Sequence, residues 1–557
     1  MENDIRQSAA GPSNHDDDSR KTSNELVAMD IAETPRVRTK FGMVAILVAL
    51  YLSLFIVALD QTIVATAIPT ITSQLHSSSG YFWVGGAYLL ADAAAGPIWA
   101  KCSDIWGRKP ALLSAVTIFA GASILAALSS SMRMLIAARA LQGTAGGGLI
   151  QLVYITVSDL FSMRRRSLIL GFVEVVWGLA GGAGPLIGGA LTQLVSWRWC
   201  FWVNVPVCGL ALILLTFFLD VHNPRTRFQD GIKAIDWLGT LTMLGVTLML
   251  LLGLDFGGSI FPWSSPKVIC LIIFGALMIG VFLFSEKKLA KYPLIPLEMF
   301  KNPANIAACA VCFCHGMVFI ASVYYLPLYF QSAKQKSPLH SGILILPLTI
   351  TEGSMGIVAG LAIHATGRYR EIVWIGIFML TMGTGVYINF GTNTPVAEII
   401  GIEIIAGIGS GLLFEAPLIA VQNTVHQNQC ASATATIGFV RSISTAVSVV
   451  LGGVIFQNSM NAKLPLLRSL GVGESIIDVL VDGKAAANVE VIATIQDVQL
   501  ANAVKDAFSS SIRNMWIVYT CIAGVGLIAG IFIKQAHLSR EHTETRTGID
   551  EMKERPW

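Results

Sequence analysis

The chain has 557 residues, of which 54% are hydrophobic and only 13% charged, with a formal net charge of +3. Soluble domains carry about 25% charged residues, so this composition excludes an ordinary water-soluble globular protein. No basic stripe and no aromatic RNA-binding motif is present, which argues against a nucleic-acid partner.

Residues 1–40 are polar and mix both signs of charge (His15, Asp16, Asp17, Asp18, Arg20, Lys21). They lack an early apolar core, so they read as a disordered cytosolic tail and not as a cleaved signal peptide. From Met43 to Ile533, apolar runs follow one another, broken by short charged or Gly/Pro-bearing turns. Roughly 20 such residues at 1.5 Å rise cross a ~30 Å hydrocarbon core. About fourteen spans are expected: Phe41–Ile71, Tyr81–Ala100, Ala111–Leu128, Arg133–Thr156, Ser167–Leu194, Trp199–Leu219, Trp237–Phe256, Val268–Phe284, Asn305–Phe330, His340–Ala365, Val373–Phe390, Ala397–Val421, Ala431–Phe456 and Ile512–Ile533. The fold class is therefore an all-α polytopic membrane protein. The end from Lys534 to Trp557 reads as a second polar tail.

Alternate loops are basic. They hold Lys101, Arg108 and Lys109; then Arg164, Arg165 and Arg166; then Arg225, Arg227 and Lys233; then Lys287, Lys288, Lys291 and Lys301; then Arg368 and Arg370. Basic short loops stay in the cytosol, which places both termini there. The spans group as a six-helix bundle over 41–220, a connector with two leucine-rich inserted helices over 221–303, and a second six-helix bundle over 304–534. Its long extracytosolic loop, 458–511, is read as carrying short interfacial helices. A cytosolic tail, 535–557, ends the chain.

Of the nine cysteines, Cys309, Cys312 and Cys314 stand beside His315, but Cys314 and His315 point away from the face shared by the first two. They read as buried structural residues, and no metal or other cofactor is expected. No activated nucleophile and no nucleotide loop is found, so no enzyme activity is expected.

Charged side chains are costly inside a bilayer, so those present need partners or a wet path. They are Asp60, Asp92, Arg139, Glu174, Glu352, Glu403, Glu415 and Arg441. Between the second and third spans stands Ala100-Lys-Cys-Ser-Asp104-Ile-Trp-Gly107-Arg108-Lys109. Gly107 permits a tight turn closed to other residues. Asp104 offers a carboxylate to a positive helix N-terminus, here that of the thirteenth span near Cys430. Helix five carries Gly171, then Gly184-Pro185-Leu-Ile-Gly188-Gly189, where small residues let backbones approach and Pro185 removes a hydrogen bond. Helix one carries Leu59-Asp60-Gln61-Thr62, and helix four carries Arg139-Ala-Leu-Gln142-Gly143. Further segments are Trp197-Arg198-Trp199, Asn204-Val205-Pro206, Pro293-Leu-Ile-Pro296-Leu, Gly367-Arg368-Tyr369-Arg370 and Phe439-Val-Arg441.

Together these segments resemble the major facilitator superfamily, and within it the fourteen-helix drug:proton antiporter branch of fungal toxin and multidrug exporters. The loop of Asp104, Gly107, Arg108 and Lys109 looks like that family's gating loop. The glycines of helix five look like its antiporter signature. The resemblance implies two six-helix bundles plus two inserted helices, rocking about a midplane site.

Asp60 lies about ten residues from the outer end of its span and Arg139 about seven, a depth difference of ~5 Å at 1.5 Å per residue. Asp60 is the expected proton acceptor and Arg139 its tuning partner, because charge and hydration both govern a carboxyl's proton affinity. Glu352 and Arg441 are expected to pair across the second bundle. With Glu415 and Gln142 they form a candidate substrate or second proton site. Glu174 and Asp92 are weaker candidates.

The reading is a proton-coupled exporter of an amphipathic small organic molecule, a fungal secondary metabolite, toxin or drug. Its partners are that substrate, protons and the lipid bilayer. The resemblance implies a monomer, and the plasma membrane is the expected location, with a vacuolar or vesicle membrane as the alternative. A proton-coupled importer or vacuolar basic amino-acid carrier of the same fold is the second functional reading. A non-transporting sensor is the third.

Overall fold

A computed structural model describes residues 39–75, 80–224, 226–258, 261–481, 484–541 and 547–549. Most of the expected N-terminal tail, the end of the C-terminal tail and Arg225 lie outside them. Fourteen long helices follow in order: α1 (Lys40–Ile63), α2 (Gly80–Trp106), α3 (Arg108–Ala127), α4 (Met132–Leu160), α5 (Met163–Leu194), α6 (Asn204–Phe218), α7 (Trp237–Phe256), α8 (Pro266–Lys288), α9 (Pro303–Ser332), α10 (Leu346–Thr366), α11 (Arg370–Val386), α12 (Val396–Leu413), α13 (Cys430–Asn461) and α14 (Val498–Ile531).

Twelve helices of the described chain are long and apolar enough to cross a bilayer. The other two, α2 and α4, span 27 and 29 residues. Most of α4 is buried by other helices, so much of its surface need not match lipid. A side chain at Gly143 or Gly147 would run into the α2 backbone at Tyr88 and Asp92. Glycine is therefore what allows these two helices to touch.

Several boundaries differ from the expected ones. The first span breaks after Ile63 into a 3₁₀ turn (Val64–Thr66) and a short helix (Ile68–Gln74). Pro69 lacks an N–H at the start of that helix, and Thr62 and Thr66 bond back to carbonyls of the preceding turn. The twelfth span breaks at Phe414–Glu415 before a short helix (Ala416–Gln422) opened by Pro417. The last helix starts at Val498, not Ile512, because Asp497 caps it by accepting from the Gln499 and Leu500 N–H groups. The expected long loop thus shrinks to a stretch that holds short helices Leu464–Ser469 and Glu474–Leu480. Part of the C-terminal tail is packed and not loose: Gln535 accepts from the Tyr369 and Arg370 N–H groups at the start of α11, and Leu538 is buried.

Helices α1–α6 pack on one another, as do α9–α14, while α7 and α8 pair together and α7 leans on α2. The two large groups meet along α5–α10 and α2–α13. These are the fifth and second helices of each group, so the two contacts mirror each other. Along α5–α10, Ser167 donates to the Gly360 carbonyl at 3.3 Å, and Gly171 lies against Gly356. Glu174 lies against Gly353 and Gly356. Farther along α5, nothing lies within 4 Å of where a side chain would begin at Gly178, Gly181 and Gly182. The seam is therefore closed at the end with the basic α2–α3 and α4–α5 loops, here called the basic end, and open beyond Glu174. Arg166 strengthens the closure by donating to Gln422 and to the Cys430 sulfur.

Valine at Gly147 is expected to cost about 1–3 kcal/mol by overpacking α2 against α4. Alanine at Gly121, which has open space around it, is expected to be neutral or stabilising. Thermal unfolding of the two purified variants in detergent checks the contrast.

Candidate functional site

Asp60 on α1 is fully buried, and its carboxylate is surrounded by donors. The Arg139 guanidinium on α4 forms an ion pair with Asp60 Oδ2. Gln142 Nε2 donates to Oδ1 at 3.2 Å and Asn204 Nδ2 donates to the same oxygen at 2.8 Å. Arg139 also donates to the Gln142 side-chain oxygen (3.0 Å) and to the Val84 carbonyl (3.0 Å). Its guanidinium lies 4.3 Å from the Tyr88 ring centre. Ser123 on α3 accepts from Gln142 and Asn204. Five helices, α1, α2, α3, α4 and α6, thus converge on one buried charge. Such charge-assisted bonds are what make a buried ion pair tolerable.

The glycines of α5 divide between two faces. Side chains at Gly184 and Gly188 would collide with Thr62 and Ile63 on α1, just beyond Asp60. Thr62 also donates to the Ala180 carbonyl at 3.0 Å. Gly171 faces α10 across the seam, where a side chain would begin 2.8 Å from the Gly356 carbonyl oxygen. Gly189 differs from the expected packing role: nothing lies within 4 Å of its missing side chain. Pro185 stands inside the helix without ending it.

At the basic end, Gly107 has φ +96°, a conformation that only glycine adopts without strain. Arg108 is buried and bridges Asp104 (2.7 Å) and Asp159 on α4 (2.6 Å). Lys109 donates to the Thr216 carbonyl on α6. Lys101 donates to the Pro293 carbonyl in the stretch before α9.

A second polar cluster lies where the seam opens. Glu174 of α5, Glu352 of α10 and Glu415 at the break after α12 are all buried, as is His315 of α9. The expected Glu352–Arg441 ion pair is not formed. Arg441 instead donates to the Phe414 carbonyl at 2.6 Å and stacks on its ring, because the helix break leaves that carbonyl free of an intrahelical partner. His315 shares a hydrogen bond with Ser410. Neither carboxyl oxygen of Glu415, nor Oε1 of Glu174, has a hydrogen-bond partner of ordinary geometry. Gln142 belongs to the Asp60 network and not to this cluster. The Asp92 backbone lies on the α2 face toward Gly147.

Sequence reasoning passed over Asn204, Ser123, Asp159 and Gln422 as partners. Asn204 carried a signal as the polar member of Asn-Val-Pro in an apolar run, and Asp159 as an acid facing the basic loop of Arg108. Ser123 and Gln422 carried none.

A model of the Major Facilitator Superfamily matches residues 50–449. The chain is 43% identical to "Efflux pump dotC" of Dothistroma septosporum (strain NZE10 / CBS 128990), covering 91% of this chain and 87% of that one. It is 40% identical to "MFS-type transporter ppz2" of Metarhizium majus (strain ARSEF 297), covering 98% and 94%. It is 31% identical to "Efflux pump FUS6" of Gibberella fujikuroi, covering 91% and 92%. The fold is similar to that of the human organic anion transporter MFSD10, with a TM-score of 0.56 at 14% identity over 88% of this chain and 99% of that one.

Arg139→Ala strands a buried carboxylate and is expected to cost about 3–5 kcal/mol. Asp60→Asn in the same background should recover more than half of that loss. Thermal midpoints of the single and double variants, read as a mutant cycle, check it.

Proposed function

The chain belongs to the major facilitator superfamily as a multi-pass membrane transporter, and we propose that it exports an amphipathic small organic molecule in exchange for protons. The observation that carries this reading is the buried Asp60 carboxylate, held by Arg139, Gln142 and Asn204 beside the α1–α5 contact. Protonating Asp60 removes the charge on which these three donors converge. The guanidinium is then free to seek other partners, and α1 and α4 can shift relative to each other. The outward direction is supported by two relatives whose names call them efflux pumps and by the glycine pattern of α5.

The cycle is alternating access. The two helix groups rock about a midplane site, and the described state is sealed at the basic end. With that end in the cytosol, as basic short loops require, the open side faces outward. The plasma membrane is the location that suits an exporter, with both termini inside and one copy as the working unit. Glu352, Glu415 and Arg441 line the place where substrate would meet both groups. Their mixture of acid, base and the Phe414 ring suits a molecule with an apolar body and a few polar groups.

Inverted membrane vesicles with an imposed pH gradient and a panel of fluorescent amphipathic dyes test the proposal. Wild type should accumulate at least one dye, and collapsing the gradient should abolish that. Asp60→Asn should reduce accumulation to background while remaining folded and membrane-inserted. Normal accumulation by Asp60→Asn would refute its role, and dye movement in the reverse direction with protons would favour an importer.

A further inference from the structure

At the basic end of the α5–α10 seam, we infer a binding site for a phosphate group, formed by three arginines and a histidine drawn from both helix groups, so that the bound anion bridges the seam.

A cavity of about 380 Å³ lies there. It is lined by Ser162, Arg164 and Arg165 around the start of α5, by His364 and Ala365 at the end of α10, and by Arg540 of the C-terminal tail. Small-ligand sites span roughly 300–1,000 Å³. Contacts across the seam fix its walls. Arg164 Nε donates to the Leu538 carbonyl at 3.3 Å, and its guanidinium lies over Gly367, 2.5 Å from where a side chain there would begin. His364 Nδ1 lies 2.9 Å from the Arg164 carbonyl. A carbonyl only accepts, so Nδ1 carries the hydrogen and Nε2 is left for another partner. Leu538 is buried and Gln535 is bonded to the start of α11, which positions Arg540. The Ser162 side chain makes no cap bond to α5.

The charge in this cavity is unanswered. Among the described residues, none of Arg164, Arg165 and Arg540 pairs with a carboxylate. Elsewhere at this end, Arg108 pairs with Asp104 and Asp159, Lys301 with Glu298 and Arg370 with Glu371. A second cavity, with Lys334 and Lys505 in its walls, includes Asp506 as its own carboxylate. Three guanidiniums side by side repel one another and draw in an anion, and their planar forks match the oxygens of a phosphate. Basic pockets between spans on the cytosolic side suit the headgroups of anionic lipids, which that leaflet carries. An apolar track also leads to the cavity. Phe172 lies seven residues after Arg165 on α5, and Leu361 and Val358 lie four and seven residues before Ala365 on α10. Each is thus on the helix face that borders the cavity. All three are exposed, and in a bilayer they meet acyl chains. The phosphate has two possible carriers, a lipid and a free cytosolic compound. Because the walls come from both groups, the site is complete only while the basic end is closed, and its occupancy favours that arrangement.

The test needs no transported substrate. Fluorescent phosphatidic acid is titrated into the purified full-length protein in neutral detergent at fixed ionic strength, and its anisotropy is read. Wild type should bind it saturably, at least about tenfold more tightly than the same probe with a phosphatidylcholine headgroup. Arg165→Gln combined with Arg540→Gln should weaken binding by about tenfold or more. Lys287→Gln combined with Lys288→Gln removes the same charge from exposed positions at the same end, and should leave binding within about twofold. Gly360→Val places a side chain against the Ser167 carbonyl across the seam, and should weaken binding by prising the groups apart. If that variant fails to fold, Gly171→Val takes its place. Displacement of the probe by inorganic phosphate shows that a free phosphate suffices. Displacement by unlabelled phosphatidic acid alone assigns the site to a lipid headgroup. Equal binding of the two headgroups overturns the site, as does equal loss in the two double variants. Unchanged binding in the seam variant overturns the bridge.

Discussion

A guanidinium inside a protein that sits in lipid must have its charge answered and its donors used, and four of them organise this molecule. Arg139 gathers five helices of the first group around Asp60. Arg108 locks the α2–α3 turn to α4 through Asp104 and Asp159. Arg166 reaches across the seam to Gln422 and Cys430, and it also donates to the Ser158 carbonyl. Arg441 lies near acids without a direct ion pair and spends one donor on a carbonyl freed by a helix break. The first two are internal braces. The third spans the two groups, and the fourth stands beside the opening. Leaving a buried charge unanswered costs several kcal/mol, so the partner sets of these four residues constrain which helices can separate and which cannot.

Small residues set the complementary constraint. Within the first group, Gly143 and Gly147 hold α4 on α2, and Gly184 and Gly188 hold α5 on α1. Across the seam the same device appears at Gly171, Gly356 and Gly360. There is a difference in kind. Inside the group these glycines accompany buried, charge-assisted networks, so the contact is doubly fixed. Across α5–α10 the glycine surface is smooth, and the hydrogen bonds that reinforce it crowd at the basic end. A smooth surface tied at one end is a joint that can pivot once those bonds let go.

The helical plan and much of the first network were legible in the sequence because membrane burial makes polarity rare. A lone Asp60 in an apolar run is conspicuous, and depth counting is enough to bring Arg139 to its level. The glycine of the α2–α3 turn was legible for a similar reason, since φ +96° leaves few alternatives. Partners such as Ser123 and Gln422 were not, because serine and glutamine are common in helices and only the three-dimensional approach of α3 or of the short helix after α12 gives them a role. The helix breaks at Val64–Thr66 and at Phe414–Glu415 were missed because hydropathy runs on through them. The Glu352–Arg441 pairing failed on the second of these. A broken helix offers a carbonyl to Arg441, and that local acceptor won over a more distant carboxylate. The early start of α14 was hidden by polar residues that hydropathy assigns to a loop but that a cap and a helical backbone accommodate.

The two acid sites also differ in how they stand relative to the two helix groups. Asp60 takes its hydrogen bonds from Arg139, Gln142 and Asn204, all on helices of its own group. Rigid rocking of one group against the other leaves those partners in place. Asp60 therefore registers rocking only through a change in hydration or through a bend within the group, and the break just past it in the first span is a natural place for such a bend. Glu174 and Glu415 stand on opposite groups, so any rocking changes their separation at once. A site wired within one body reports its local solvent, and a site wired between two bodies reports their relative position. The proposed exchange for protons would need both kinds of information, because a proton would be taken up on one side and its arrival would have to alter which side is open.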